Sequence, residues 1–202
     1  MKLSFSTNRW RETSMEEFFA LAKEYRFAGV EIHSVKECPE EKRTALYHAA
    51  VSGNLSICCI DVCESIGAPD SSAAMAELSE ALGAAVRLHA PYVRLRAGDE
   101  ENAKENAEAF LSKAIPLARK SGIILLLETV GVYANTATLR ETLNAFADDN
   151  LAALWDFYYP YTVAKESAED TIRNLGAYVC HSAARLSSAN AFSVSRSVAV
   201  LA

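Results

Sequence analysis

This sequence has no glycine-rich phosphate loop. Neither G-x-G-x-x-G nor G-x-x-x-x-G-K-[ST] occurs in its 202 residues, so the usual dinucleotide and P-loop signatures are missing. Positive charge is also short. Twenty Lys and Arg stand against 26 Asp and Glu, a net of −6 with no dense basic cluster, which argues against a nucleic-acid partner. No apolar run reaches membrane thickness, and the opening MKLSFSTNRW lacks the hydrophobic stretch of a leader, so a cytoplasmic protein with no membrane partner is expected. The five cysteines form neither a C-x-x-C pair nor a zinc-type double pair. Cys58, Cys59 and Cys63 read as small hydrophobes on and just after a strand.

Half of the residues are hydrophobic, enough for one substantial core in a chain of this length. They follow one rhythm. Lys2–Ser6 is a short strand pattern, and TSMEEFFALAKEYRF then gives a polar N-cap at Thr13 or Ser14, early glutamates and helical apolar spacing. The same alternation recurs through VEIH, a helix closed by Gly53, LSICCIDV, the helix SSAAMAELSEALGAAVRLHA, YVRLRAG, a helix from Glu100 to Ser121 despite Pro116, and IILLLE. Helix Thr136 to Phe146, strand Leu151 to Asp156, helix Ser167 to Leu175 and strand Tyr178 to Cys180 complete the series.

Strands separated by helices of this length imply a parallel sheet covered on both faces, which explains the unbroken run IILLL. Without a dinucleotide fingerprint, the pattern predicts an α/β fold of the (β/α)8 TIM-barrel type, incomplete, with about six to seven β/α units present. Residues 1–181 form this partial barrel and 182–202 an atypical tail.

Active sites of such barrels lie at the carboxyl ends of the strands, so an acid ending an apolar strand points into the site. Glu128 ends the fifth strand, Asp156 the sixth, and Glu31 lies in VEIH on the second. Acids on adjacent strand ends could share a divalent cation, or each could cap its loop or pair with an arginine such as Arg94. His33 at the end of strand two could face a substrate, and Trp10 just after strand one could stack on a sugar face or pack over the barrel end. His48 and His89 fall in helical or connecting patterns and read as structural or solvated.

The segments MKLSFSTNRW, GVEIH, APYVRLRAG, LLLETVGVYANT and LWDFYYPYTVAKESAEDTIRNLGAYV, taken in order over residues 1 to 181, resemble the xylose isomerase-like TIM-barrel proteins, described as sugar phosphate isomerases and epimerases. The resemblance implies one divalent metal ion, Mn, Co, Mg or Zn, held by a glutamate ending strand five, an aspartate ending strand six, a histidine on strand seven and a glutamate on strand eight. Glu128 and Asp156 match the first two positions, and His181 is the candidate third. It further implies a small sugar, sugar phosphate or polyol as partner, polarised by the metal while Glu128 removes a proton next to the carbonyl. Glu31, His33, Arg94, Tyr159 and Trp10 are the candidate substrate contacts.

The chain departs from that pattern at three places. Val130 stands where relatives commonly have histidine in E-T-H-G, and Tyr158 and Tyr159 replace the histidines of W-D-x-H-H-P; tyrosines can hydrogen-bond a sugar but do not shuttle protons near neutral pH. After His181 the tail SAARLSSANAFSVSRSVAVLA contains no Asp, Glu or Lys, so the resemblance implies a truncated chain, through a frameshift or a premature end, or else a genuine divergent tail, with no fourth ligand in either case. A barrel that stops after six or seven strands leaves an open seam, through which two copies could associate. AFSVSRSVAVLA, with apolar residues alternating with serine, could pair as an edge strand there. The alternative function is a vestigial, non-catalytic barrel that at most binds. An apurinic-site endonuclease of the same barrel type, with its histidine-rich multi-zinc cluster, is disfavoured by four scattered histidines and an acidic chain.

Overall fold

A computed structural model of the chain describes residues 2–8, 13–186 and 196–201. Seven parallel strands alternate with helices. They are β1 (Lys2–Ser6), β2 (Gly29–Ile32), β3 (Ser56–Asp61), β4 (Tyr92–Leu95), β5 (Ile124–Glu128), β6 (Leu151–Asp156) and β7 (Val179–Leu186). Helices α1 (Met15–Glu24), α2 (Arg43–Ser52), α3 (Ser72–Leu88), α4 (Ala103–Ser121), α5 (Thr136–Phe146), the short α6 (Tyr158–Thr162) and α7 (Ala168–Leu175) carry the crossovers. An eighth strand, β8 (Arg196–Leu201), completes a closed ring in the order β1 to β8.

That last strand runs against its neighbours. β8 pairs antiparallel with β7, from His181 opposite Leu201 to Leu186 opposite Arg196, and antiparallel with β1, from Lys2 opposite Leu201 to Phe5 opposite Val198. A parallel eighth strand would need a crossover of a dozen residues or more, which residues 187–195 cannot supply; an antiparallel return needs no helix. The seam expected to stay open is therefore occupied. Closure pairs the edges of β1 and β7 with β8.

Local signals place the elements. Ser14 and Glu17 form a reciprocal capping box on α1, and Ser167 with Asp170 does the same on α7. Asn135 caps α5 by accepting from the backbone N–H groups of Ala137 and Thr138. Pro116 lies within α4, where it would ordinarily cost about 3 kcal/mol; the buried face of Ala107, Phe110, Leu111, Ala114, Ile115 and Ala118 holds the helix against the barrel regardless.

The strands bury both faces. On β5, Leu125 and Leu127 join the layer between strands and helices, while Leu126 joins Cys59, Ala152, Leu154 and Ala183 in a second apolar cluster. The run IILLL is thus a strand with two dry faces. Polar side chains cross the barrel between these groups: His181 on β7 meets Glu31 on β2, which also accepts a hydrogen bond from Ser4 on β1. At the carboxyl ends, Gly131 holds a left-handed backbone, φ 59°, and a Cβ there would fall 2.1 Å from the carbonyl oxygen of Ala97. Only glycine lets the loop after β5 lie this close to the loop after β4.

Candidate functional site

The acids at the strand ends surround one arginine. Arg94 on β4 is 4% exposed, and its Nη2 donates to Asp61 Oδ2 at the end of β3. Its Nη1 lies 4.0 Å from Glu31 Oε2 and 3.9 Å from Glu128 Oε1. Arg96, two residues on, places Nε 4.0 Å from Glu128 Oε2. Four strands, β2 to β5, thus contribute to one buried ionic cluster, and Arg94 is held charged because the three acids outweigh the effect of burial.

The carboxylates differ in their surroundings. Burial pushes the Glu128 carboxyl up, and the nearby Arg94 and Arg96 only partly offset this. Burial also acts on Asp61, but Arg94 and His33 more than offset it and hold that carboxyl below its usual range. Glu31 Oε1 lies 2.5 Å from His181 Nε2 and 3.3 Å from Ser4 Oγ. Asp156 Oδ1 accepts from the backbone N–H of Tyr158 at 2.7 Å and so closes the turn that leads into α6, while the Thr129 hydroxyl ties the ends of β5 and β6 together by accepting from Asp156 N and donating to Asp156 O. Both bland roles open to strand-end acids, capping a loop and pairing with Arg94, are thus present here.

His33 joins this cluster to a cavity. Its Nδ1 lies 3.0 Å from Asp61 Oδ2, and that hydrogen bond, followed by one with Cys63, raises the imidazole to about 9. The cavity, of about 1000 Å³, opens over the ends of β1 to β3 and is lined by Thr7, His33, Glu37, Cys63 and Glu77 among others. The backbone N–H of His33 donates to Thr7 Oγ1 at 2.8 Å, which fixes the rim.

The sequence-derived residues therefore separate into groups. Glu31, Arg94 and Glu128 come together, with His33 at the edge and His181 against Glu31. Asp156 ends the strand next to Glu128, but the β7 residue beside it is Ala183; His181 is registered with Leu154, two residues short of that position. Among the described residues, no three His, Cys, Asp or Glu side chains converge to hold a metal ion. Tyr159 is half-buried at the start of α6, its ring set edge-on to Tyr158 at 5.3 Å. Trp10 lies outside the described residues. His89 is exposed and stacks on Tyr47, with His48 beside the same ring.

Asp61 and Arg96 are absent from the sequence-derived set. Asp61 closes SICCID as Glu128 closes ILLLE, so the strand-end signal was there to find; Arg96 follows its strand and gave none.

Comparisons with known proteins extend this picture. The family model described as xylose isomerase-like TIM barrel matches residues 19–183. No curated protein matches the sequence. Among solved structures, the probable 3-DHS dehydratase AsbF from Bacillus anthracis superposes with a TM-score of 0.77 at 19% identity, covering 94% of this chain and 75% of that one. The 3-keto-D-glucoside 4-epimerase YcjR from E. coli gives 0.74 at 14% identity, over 89% and 78%. The IolI protein with a bound zinc atom gives 0.76 at 16% identity, over 89% and 70%. Among the described residues, no helix is long and apolar enough to cross a membrane.

Proposed function

This chain belongs to the xylose isomerase-like TIM-barrel family, and on that premise we propose that it isomerises a small sugar, sugar phosphate or polyol-derived carbonyl compound by moving a proton at the carbon next to the carbonyl. Glu128 is the base. The observation that carries this reading is its setting: a carboxylate 4% exposed, ending a strand at the site face of the barrel, pushed up by burial and flanked by two guanidinium groups. A base works best when its pKa approaches the working pH, and a carboxylate reaches that range through desolvation. Positive charge beside it lowers the energy of the enediolate formed when the proton leaves.

His33 supports the same reading. Raised to about 9, it is protonated near neutral pH and supplies an N–H donor at the cavity rim for a substrate oxygen. Tyr159 offers a hydroxyl at the neighbouring strand end. A single identifiable base suits transfer between adjacent carbons on one face of the substrate better than epimerisation, which needs groups on both faces.

The family resemblance brings a divalent ion with it. Glu128 and Asp156 are the two matching donors, but one oxygen of Asp156 accepts from Tyr158 N, His181 engages Glu31, and the β8 sequence RSVAVL offers no carboxylate, imidazole or thiol. The residues do not fit a complete metal site.

The test is deuterium exchange. The chain incubated in D2O with a panel of aldoses, ketoses and their phosphates is expected to label the carbon next to the carbonyl, read by NMR, and Glu128→Gln should slow labelling by at least ~10²-fold. Absence of labelling across the panel would favour a second reading, a barrel that binds without turnover, to which the acid-free β8 already points.

A further inference from the structure

We propose that Arg94 occupies the place of the cation in this site, so that the chain works on α-hydroxycarbonyl substrates with a guanidinium and takes up no divalent ion. This rests on the proton-transfer reading above. Three observations lead to it.

The donors a metal would need are dispersed. Glu128 and Asp156 end β5 and β6, but the β7 position registered beside Asp156 is Ala183, which has no ligating atom. His181, two residues earlier, has its Nε2 2.5 Å from Glu31 Oε1. β8 brings no ligating residue type in RSVAVL. Two carboxylates without further protein donors fall short of the three that an open catalytic site ordinarily supplies.

The space is also already charged. A divalent ion bound to Glu128 Oε1 at ~2.0–2.2 Å would sit within ~6 Å of Arg94 Nη1, itself 3.9 Å from that oxygen. Asp61 fixes the guanidinium from one side, and Glu31 stands 4.0 Å from the other amino nitrogen, so withdrawal of Arg94 would take from both buried acids a cation that they share.

Finally, Arg94 retains unused donor capacity. Its Nε is buried with no hydrogen-bond partner. Buried N–H groups are seldom left so, and the guanidinium, its Nη1 3.9 Å from Glu128 Oε1, puts positive charge beside the base for an oxygen that gains negative charge as a proton leaves the adjacent carbon. Arginine suits this role because its charge persists at any working pH and its planar donors match the paired oxygens of an enediolate as they match a carboxylate. In the balanced step, Glu128 takes the proton from carbon, the C–H electron pair moves into the new C=C bond, and the carbonyl oxygen becomes an oxyanion against Arg94. The proton of the neighbouring hydroxyl then passes to that oxyanion; the C=C pair takes the proton back from Glu128 onto the former carbonyl carbon while the second oxygen's pair forms the new C=O.

The deciding experiment is Mn(II) titration of the chelator-treated full chain, followed by electron paramagnetic resonance of free Mn. No stoichiometric binding is expected. One bound equivalent that disappears in both Glu128→Gln and Asp156→Asn would overturn the proposal. Arg94→Ala should gain Mn binding, since Glu31, Asp61 and Glu128 then lack their cation; the native titration needs no variant and decides even where Arg94→Ala fails to fold. Deuterium exchange adds an independent arm. Activity unchanged by chelator and lowered ~10²-fold in Arg94→Lys supports the guanidinium, whereas exchange that appears only after Mn is added refutes it. If no exchange occurs under either condition, the proton-transfer reading fails, while the Mn titration still reports whether the site accepts a metal.

Discussion

The wall from β2 to β5 and the wall from β7 through β8 to β1 close the same barrel by different means. In the first, every strand is parallel, each crossover carries a helix, and the strand ends place Glu31, Asp61, Arg94 and Glu128 in one buried cluster. In the second, β8 runs antiparallel to both neighbours, and its sequence RSVAVL contains no acid. Ring closure requires only backbone donors and acceptors, which almost any sequence can offer. Chemistry requires particular side chains at particular depths, so a strand can complete the wall and still leave the site without a donor on that side.

The largest effect should come from removing closure itself. Deleting residues 196–202 unpairs β1 and β7 together, and light scattering after size exclusion should show a higher mass or aggregates relative to the intact chain. An unchanged mass would mean that the β7–β1 wall does not need β8. On the ionic side, Arg94→Met removes the cation that three buried acids share, with only Arg96 remaining beside Glu128 and His33 beside Asp61, and should lower stability by about 3–5 kcal/mol in urea unfolding. A smaller loss would show that the cluster reorganises as freely as a surface network. His181→Ala connects the two walls, since it removes the partner of Glu31 across the barrel, and should cost about 1–3 kcal/mol.

The smallest effects are pH-dependent. His33 is raised above its ordinary value, so its contribution is complete below about pH 6.5 and is lost as pH rises through about 9. It should amount to on the order of 1–2 kcal/mol, and His33→Gln should flatten the stability profile between those limits. Glu128 is shifted in the same direction: its raised folded value means that stability is fully present below about pH 4.3 and declines as pH rises through that value. Glu128→Gln should therefore match or exceed native stability at pH 8 while losing proton exchange. A variant less stable than native at pH 8 would show that the carboxylate is held by its partners more than it is opposed by burial.

Much of the β1–β6 wall was legible in the sequence. Lys2–Ser6, Thr136–Phe146 and Leu151–Asp156 have the bounds that hydrophobic pattern and caps imply, and the strand-end rule found Glu31, Glu128 and Asp156. The closing wall was harder to read. β7 extends to Leu186 rather than ending at Cys180, because the small, serine-rich residues that follow carry little periodic signal and are paired by a strand that arrives later. The tail's alternation of apolar residues with serine did mark it as a strand, but not as one bonded on both sides. At the site, sequence placed His181 among the acids; what it could not fix was register, and two residues along β7 separate the position beside Asp156 from the one opposite Leu154.

The reversed direction of β8 has a topological consequence. Lys2 is registered opposite Leu201, so both ends of the ring's sequence meet at the base of the barrel, on the face away from Glu128 and Asp156. A short bridge between those two positions would join head to tail without spanning the molecule, and a new opening cut after α5, near the exposed Asp149, would leave every strand of the ring intact. Such a circular permutant should keep both walls, because sheet order in a closed ring is indifferent to where the chain is opened.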